Sequence, residues 1–476
     1  MTGVGLQEPT PTVNPVSAEG TVGRFPLRNI LSIDHAGILR KLIPWVMKGG
    51  LAILDQGLFA GSNFVMSILL ARWLTPEQYG SYAVAFAVFV FILMFHQALM
   101  LEPMLVFGSS AYRNCLREYL KALLLLHLGV SLVIVFVLGV VAAAAFKPGQ
   151  TNGMPDALVG VAVAGPSVLL LWLIKRIFYV KLSPGPSAGA ALLYCVLTMG
   201  GLALVYKHNY LSPLSAFLLM GLGSSVTSVV LLAYLRSRLS SSPEAPKLLD
   251  IWRRHWRYGR WAIGANVMMW VPLNVFYPFL SSLSGMAQAG ELKALMNFAS
   301  PMYQTSGALS PLMLPYAARV LEEKGPAGVS SVLRQQTLLS ISYTVPYWVV
   351  LLLFKTPVFR VLYSGRYTEV AYLLPIVALA CVFGSAFFGP ANVLRVMESP
   401  RLVFAAVSVS SCVAVAIGVP ITWALGVRGA AWGMALSEVL AFVAAVVLLR
   451  RKARKSSEAA LTAPCTLPVG ELDSGS

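Results

Sequence analysis

Residues 51–110 contain two long apolar segments joined by the short polar turn WLTPEQYG. Each segment is long enough to cross a bilayer, which takes about 20 apolar residues. Both segments also contain polar residues, namely Asp55, Gln56 and Asn63 in the first and His96, Gln97 and Glu102 in the second. Polar groups in membrane helices normally face a bundle interior or a water-filled cavity, so the stretch predicts a membrane hairpin with one polar side.

The composition extends this prediction to the whole chain. Hydrophobic residues make up 57% and charged residues only 12%, whereas a soluble domain is about 25% charged. We therefore expect an all-α polytopic membrane protein. The net charge of +17 does not indicate a nucleic acid partner, because the basic residues lie between apolar runs, where they set membrane topology.

Hydropathy predicts about twelve transmembrane helices. The eighth is the weakest of them, because it contains three prolines and several polar residues. The expected spans are 50–71, 80–105, 119–145, 157–175, 187–206, 213–235, 261–283, 291–316, 337–355, 371–389, 402–424 and 430–449.

The distribution of Lys and Arg predicts the orientation. With both termini in the cytoplasm, 28 of the 36 basic residues fall in inner regions and eight in outer regions, as the positive-inside rule requires. The exception is the connection between the ninth and tenth spans, with Lys355, Arg360 and Arg366. No signal peptide is expected, because residues 1–44 lack a continuous apolar core.

An internal repeat divides the spans into two pseudo-symmetric six-helix lobes. At an offset of 210 residues, Leu51-Ala52-Ile53 falls on Trp261-Ala262-Ile263, Tyr79-Gly80 on Ala289-Gly290, and Ala98-Leu99 on Ala308-Leu309. Repeats with an even helix count are parallel and are related by an axis along the membrane normal. The predicted parts are a cytoplasmic tail with a possible interfacial helix (1–47), an N-lobe (48–235), a basic cytoplasmic linker (236–260), a C-lobe (261–449) and a disordered cytoplasmic tail (450–476).

Polar residues recur at helical spacing in both halves. Gln56, Asn63 and Ser67 share one face of the first span, and similar stripes follow in the seventh and eighth. Amides and aromatic rings are suited to holding a sugar, although small and polar residues also pack helices together. The candidate cavity residues are Gln56, Asn63, Gln97, Asn266, Trp270, Asn274, Tyr277, Asn297 and Gln304.

Titratable residues inside the spans have two interpretations. Asp55 and Glu102 are expected at the same inner depth, where Lys48, Arg113 or Arg257 would pair with them in a structural network. The other interpretation is a proton or cation site, since ionisable groups within a membrane are often functional. His96, which would otherwise be a packing residue, and Glu438 are equally ambiguous.

Basic residues at the span ends are either topogenic charges or a site that captures an anionic diphosphate. They are Lys48, Arg72, Lys175, Arg176, Arg257 and Arg260. The sequence contains no P-loop, no HExxH motif and no convincing nucleophile elbow, so we expect neither an enzyme nor a nucleotide-driven pump. The five cysteines are scattered, and no metal or cofactor is expected.

The segments DQGLFAGSNFVMSILLARWLTPEQYGSYA and QALMLEPMLVFGSS resemble the opening of bacterial polysaccharide (O-antigen or exopolysaccharide) repeat-unit flippases. These belong to the multidrug/oligosaccharidyl-lipid/polysaccharide exporter superfamily and have a MATE-like fold.

The resemblance implies two lobes around a central cavity, in the bacterial inner membrane. Alternating access would move an undecaprenyl-diphosphate-linked oligosaccharide from the cytoplasmic to the periplasmic leaflet, with a polymerase and chain-length or export machinery as possible partners. Many homologues have a charged cavity residue, Arg or Asp, in the first or seventh span. The seventh span of this chain has Asn266 and Asn274 instead.

The main alternative is a cation-coupled multidrug antiporter of the same superfamily, which would require acidic residues deep in the cavity. A membrane glycosyltransferase or polymerase would require large outer loops, and every predicted outer loop here is short. A non-transporting scaffold would not need polar stripes inside the membrane.

Overall fold

The computed structural model describes residues 35–145, 153–239, 246–325 and 328–462, and these ranges are helical with no strand. Contacts along the chain group Met1–Met47 and Lys48–Ser476 into two compact units. Residues 35–47 of the first unit are helical, and the second unit contains the features discussed below. Of the interfacial helix predicted in the N-terminal tail, the part before residue 35 lies outside the described ranges.

Twelve long helices follow one another along the described ranges, and a short helix, Lys355–Tyr363, lies between the ninth and tenth. In chain order the long helices are α1 His35–Trp73, α2 Pro76–Ser109, α3 Leu116–Ala145, α4 Met154–Val180, α5 Gly185–Lys207, α6 Pro213–Arg236, α7 Leu248–Asn274 continued by Phe276–Leu283, α8 Met286–Lys324, α9 Gly328–Leu353, α10 Thr368–Val396, α11 Pro400–Leu425 and α12 Val427–Thr462.

The helices confirm the predicted fold class of an all-α polytopic membrane protein. Ten in the described part of the chain are long and apolar enough to cross a membrane, and α7, bent by 43° at its break, would be an eleventh. The remaining helix, α8, contains the weakest of the predicted spans; it is 39 residues long but too polar to count among these apolar helices. It is accommodated because polar residues such as Asn297, which is 3% exposed, lie inside the bundle.

The polar turn WLTPEQYG, between α1 and α2, contains a capped helix start. Thr75 accepts a hydrogen bond from the backbone N–H of Gln78, and the Gln78 side chain accepts one from the backbone N–H of Thr75. Pro76 occupies the first turn, where its missing N–H costs nothing. We call the end of the bundle with this turn the outer end, following the predicted orientation, and the opposite end the inner end.

Two predicted boundaries differ from the structure. Of the linker predicted over 236–260, residues from Leu248 onward form the first part of α7. The tail predicted to be disordered from residue 450 continues α12 to Thr462. Residues 248–260 are rich in Arg, and residues 450–462 are rich in Arg, Lys and Ala. The helix propensity of these residues is high, and hydropathy alone does not detect such polar helical extensions. The division into lobes at these boundaries stays a prediction.

Helices α2 and α8 approach each other at equivalent residues of the repeat. A Cβ atom on Gly80 would lie 1.7 Å from the carbonyl oxygen of Met286, and one on Gly290 would lie 2.7 Å from that of Pro76. Only glycine allows two backbones this close. The two residues are 210 apart in sequence, so the offset read from the sequence matches a point where the two halves meet.

Helix α2 also binds α7 through a local irregularity. Residues Gln97–Leu101 form a π-helical turn, and Pro103 has no N–H to donate to the carbonyl of Leu99, four residues earlier. His255 of α7 donates a hydrogen bond to that carbonyl instead, with its Nδ1 2.8 Å from the oxygen. Its Nε2 then accepts a 2.7 Å hydrogen bond from Tyr119, so the two bonds fix one tautomer.

Candidate functional site

A cavity of about 310 Å³ lies among α1, α2, α4, α6 and α8. Its wall combines side chains that hydrogen-bond with side chains that stack. The polar lining residues are Gln56, Asn63, Ser67, Lys293, Asn297, Ser300 and Gln304, and the aromatic ones are Phe59, Phe64, Tyr82, Phe86, Phe89 and Trp172. We call this space the main cavity.

The polar stripe of α1 lies along the main cavity. Gln56 is exposed, whereas Asn63 is half-buried and accepts a 3.2 Å hydrogen bond from Tyr194. Of the nine residues proposed as cavity lining, four lie in its wall, namely Gln56, Asn63, Asn297 and Gln304.

Lys293, which was counted among the eight outer basic residues although it lies at the start of the predicted span 291–316, adds a positive charge to the cavity. It lies two turns inside α8 and lines the main cavity. Its Nζ lies 4.4 Å from the centroid of the Phe86 ring, a cation–π contact. Among the residues that the structure describes, no carboxylate lies within ion-pair distance of Lys293. The position of this lysine within a predicted span was the sequence signal that could have identified it as a cavity residue.

A buried hydrogen-bond network closes the outer end of the main cavity. Ser67 donates to the Asn297 Oδ1 over 2.9 Å, and the Asn297 Nδ2 donates to the hydroxyls of Tyr79 and Tyr363 over 3.0 and 3.3 Å. Ser67 and Asn297 are 5% and 3% exposed, whereas Gln56 and Gln304 are exposed. Ser67 and Asn297, towards the outer end of the cavity, are therefore buried, whereas Gln56 and Gln304, towards its inner end, are exposed.

Arginines connect helix ends beside this network. Arg72 donates to the carbonyl of Val361 over 3.2 Å, and Arg366 donates to the carbonyl of Leu74. Arg72, proposed as a diphosphate contact, therefore ties the end of α1 to the short helix Lys355–Tyr363.

Asp55 lies in a buried ion pair behind the cavity wall. Its Oδ1 is 2.6 Å from the Nζ of Lys175, and its Oδ2 accepts hydrogen bonds from Tyr179 and Ser187 over 2.6 and 2.8 Å. The Lys175 Nζ lies 4.8 Å from the ring centroid of Phe59, and that ring lines the cavity.

The partner of Asp55 differs from the sequence expectation. Lys48, Arg113 or Arg257 was expected to pair with it, but the structure places Lys175 there. The Lys175 side chain, proposed as a diphosphate contact, is only 10% exposed. Two charges taken out of water require close pairing and further hydrogen bonds, and Lys175, Tyr179 and Ser187 supply them.

The candidate residues of α7 face α2 and the core. Asn266 donates to the carbonyl of Met94 over 3.2 Å and Trp270 to that of Ala87 over 3.0 Å. Asn274 donates to the carbonyl of Trp270 in its own helix over 3.1 Å, and Tyr277 is 4% exposed. None of the four is among the residues that line the main cavity, and their part in transport stays a prediction.

The remaining titratable candidates lie apart from one another. His96 is 2% exposed, with its Nε2 3.2 Å from the Nδ1 of His127. Gln97 donates to Glu102 over 3.3 Å within the π-helical region of α2. Glu438 is 8% exposed on α12 and lies beside Gly384, where an added Cβ would be 2.9 Å from its Oε2.

The other basic candidates have mixed surroundings. Arg176 is half-buried, whereas Lys48, Arg257 and Arg260 are exposed. Arg260 stacks on Trp261, with its Cζ 5.5 Å from the ring centroid, an arrangement typical of a membrane interface. None of these residues lines the main cavity.

The fold of this chain is similar to that of membrane transporters of known structure. An inward-facing multidrug resistance MATE family transporter of the MOP superfamily aligns with a TM-score of 0.71 at 11% identity, covering 86% of this chain and 99% of that one. The lipid II flippase MurJ in an inward closed conformation aligns with a TM-score of 0.65 at 12% identity, covering 87% and 91%. The eukaryotic MATE transporter AtDTX14 gives 0.62 at 17% identity, covering 89% and 99%.

The sequence match is more specific than these folds. The model of a polysaccharide biosynthesis protein family matches residues 69–372, which is more than half of the chain, so the chain belongs to this family. The match supports the resemblance inferred from the first two spans. A comparison with curated proteins gave no match.

Proposed function

We propose that the protein flips undecaprenyl-diphosphate-linked oligosaccharide repeat units from the cytoplasmic to the periplasmic leaflet by alternating access. The proposal places it in a bacterial inner membrane with both termini in the cytoplasm. The observation that carries it is Lys293, a cation in the main cavity with no carboxylate within ion-pair distance among the described residues. Membership of a polysaccharide biosynthesis family supports it.

The chemistry of the main cavity suits a sugar diphosphate. Such a head group cannot cross hydrocarbon alone, because burying each charge or unpaired polar group is costly. Lys293 offers an ammonium to a phosphate oxygen, and Gln56, Asn63 and Gln304 offer amides to sugar hydroxyls. Phe86 and Trp172 supply ring faces for stacking. The lipid tail would remain in the bilayer.

The accessibility gradient supports loading from the inner end. Ser67 and Asn297 are sealed inside the bundle, and Gln56 and Gln304 are exposed. With the orientation predicted from Lys and Arg, the exposed end faces the cytoplasmic leaflet, where repeat units would be assembled. A polymerase and chain-length or export machinery would then act on the flipped product.

The alternative of a cation-coupled multidrug antiporter is less consistent with the cavity. A cationic drug would meet Lys293, whose charge repels it. The buried acid on α1, Asp55, is already paired with Lys175. Some of the structures with this fold are multidrug transporters, so the test includes a drug substrate.

We would test the proposal with purified protein in vesicles that contain a lipid-linked oligosaccharide, measuring how fast the sugar becomes accessible on the opposite leaflet. Lys293→Gln should slow this at least about tenfold, because hydrogen bonds to charged groups are worth about 1.5–3 kcal/mol. Lys207→Gln, which removes an exposed charge at the end of α5, is the control and should be unaffected.

Two results would contradict the proposal in different ways. Wild-type protein that expels a cationic dye but moves no lipid-linked sugar would favour the antiporter. Normal flipping by Lys293→Gln would keep the flippase function and remove Lys293 from substrate binding.

A further inference from the structure

A second cavity, remote from the main one, lies between α9 and α12 towards the inner end. It has a volume of about 540 Å³. On α9 its wall comes from residues spaced by four, such as Val329, Leu333 and Thr337, which share one helical face. On α12 it comes from Phe442, Val446, Leu449, Arg450 and Ala453. We call this space the α9–α12 groove.

The floor of the groove is a packed apolar layer. Val329 and Leu449, which are 5% and 0% exposed, pack in one cluster with Val393 and Leu394 of α10. Leu338 is exposed, and Phe442 and Val446 are half-buried. The groove is therefore built on a firm base and presents an apolar surface on its open side.

Two arginines interrupt this apolar lining. Arg334 and Arg450 are both exposed and line the groove, which contains no acidic residue in its wall. Within the part of the chain that the structure describes, neither arginine has a carboxylate within ion-pair distance. Two cations therefore share one groove, with no acidic residue among those that line it.

The dimensions of the groove fit one leaflet. The lining residues of α9 run from Val329 to Leu338, which is about 13 Å along a helix that rises 1.5 Å per residue. Half the hydrocarbon core of a bilayer is about 15 Å. An acyl chain in the groove would lie along Leu338, Phe442 and Val446 while its head group met the arginines.

We propose that the α9–α12 groove binds an anionic phospholipid, with Arg334 and Arg450 holding the head-group phosphate and the apolar wall holding one acyl chain. Basic pockets between membrane helices recognise anionic head groups in this way. This site is separate from the main cavity, shares no residue with it, and does not depend on the proposed transport activity.

The test uses the purified full-length chain and native mass spectrometry to measure binding of phosphatidylglycerol, phosphatidylcholine and undecaprenyl diphosphate. The double variant Arg334→Gln/Arg450→Gln should bind phosphatidylglycerol about 30-fold more weakly, since each basic residue near an anionic lipid contributes about fivefold. The control Arg319→Gln/Arg451→Gln removes two exposed charges outside the groove and should bind as the wild type does.

A third variant distinguishes lipid binding within the groove from lipid binding to a charged surface. Val446→Trp fills the apolar part and leaves both arginines, so it should also weaken phosphatidylglycerol binding. Thermal unfolding in detergent without added lipid checks that each variant is folded.

Several outcomes would overturn the proposal. Equal losses in the control, or normal binding by Val446→Trp, would indicate general surface charge. Equal binding of phosphatidylcholine, which carries a phosphate but no net charge, would show that the groove does not select anionic lipids. Arginine-dependent binding of undecaprenyl diphosphate alone would assign the groove to the transported lipid.

Discussion

The polar stripes of α1 and α7 contain the same kinds of residue at similar helical spacing, but their surroundings differ. Gln56, Asn63 and Ser67 of α1 line the main cavity. Asn266 and Trp270 of α7 donate to backbone carbonyls of α2. A polar stripe in a membrane helix can thus line a cavity or form hydrogen bonds that hold neighbouring helices together. The sequence of the stripe alone does not distinguish these two roles.

The same contrast occurs between adjacent residues of α1. Asp55 is fully buried against α4 and α5, whereas Gln56 is exposed on the cavity side. Successive residues on a helix are about 100° apart, so one faces neighbouring helices and the next faces the cavity. Substitutions at these positions should therefore separate the groups that hold the bundle together, whose loss lowers stability most, from the groups that contact a substrate, whose loss lowers stability least.

Removing the charge of Asp55 should have the largest effect. Asp55→Asn leaves Lys175 buried without its counter-charge, and breaking a buried ion pair costs about 3–5 kcal/mol. We expect a large fall in the denaturation midpoint in detergent. The control is Asp250→Asn, which breaks an exposed 4.0 Å contact with Arg253 and should cost less than about 1 kcal/mol.

The paired change Asp55→Leu with Lys175→Met should recover much of that loss, because apolar replacement of both buried partners is often neutral. If Asp55→Asn alone were as stable as the wild type, the ion pair would not hold α1 to α4.

The α7 stripe should show a smaller structural effect. Trp270→Phe keeps most of the ring but removes the donor to the carbonyl of Ala87. Hydrogen bonds between membrane helices are worth about 1 kcal/mol, so the denaturation midpoint should fall slightly. Trp261→Phe, at a side chain that is 76% exposed, is the matched control. A strong transport defect at unchanged stability would instead place Trp270 in the substrate path.

The exposed amides of the main cavity should matter least for stability. Gln56 and Gln304 are exposed, and surface substitutions usually change stability by less than about 0.5 kcal/mol. The double variant Gln56→Ala/Gln304→Ala should unfold like the wild type but flip lipid-linked oligosaccharide several-fold more slowly, about tenfold if two neutral hydrogen bonds are lost.

The same vesicle measurement on Asn274→Ala provides the comparison, since Asn274 bonds only to its own helix among the described residues. Equal slowing in both variants would contradict the assignment of the α1 stripe to the cavity and the α7 stripe to helix packing. Normal flipping by Gln56→Ala/Gln304→Ala would show that these amides do not bind the substrate.

The sequence by itself determined the fold class, the twelve helical segments and the family resemblance. These follow from properties that each helix carries alone: its length, its apolarity and the charges at its ends. The polar turn WLTPEQYG and the 210-residue offset that aligns Gly80 with Gly290 were also readable from the sequence. Hydropathy gave its weakest signal for α8, the eighth of the predicted spans.

Tertiary structure alone decided which polar face meets the cavity. Asp55 pairs with Lys175 across 120 positions of the sequence, and Ser67 bonds to Asn297 across 230. Lys293 lies in the main cavity rather than in an outer loop because α8 begins at Met286 and packs beside α1 and α2. Helical periodicity fixes which residues share a face, but the rotation of each helix depends on contacts with segments far away in the chain, and that rotation distinguishes a packing residue from a cavity residue.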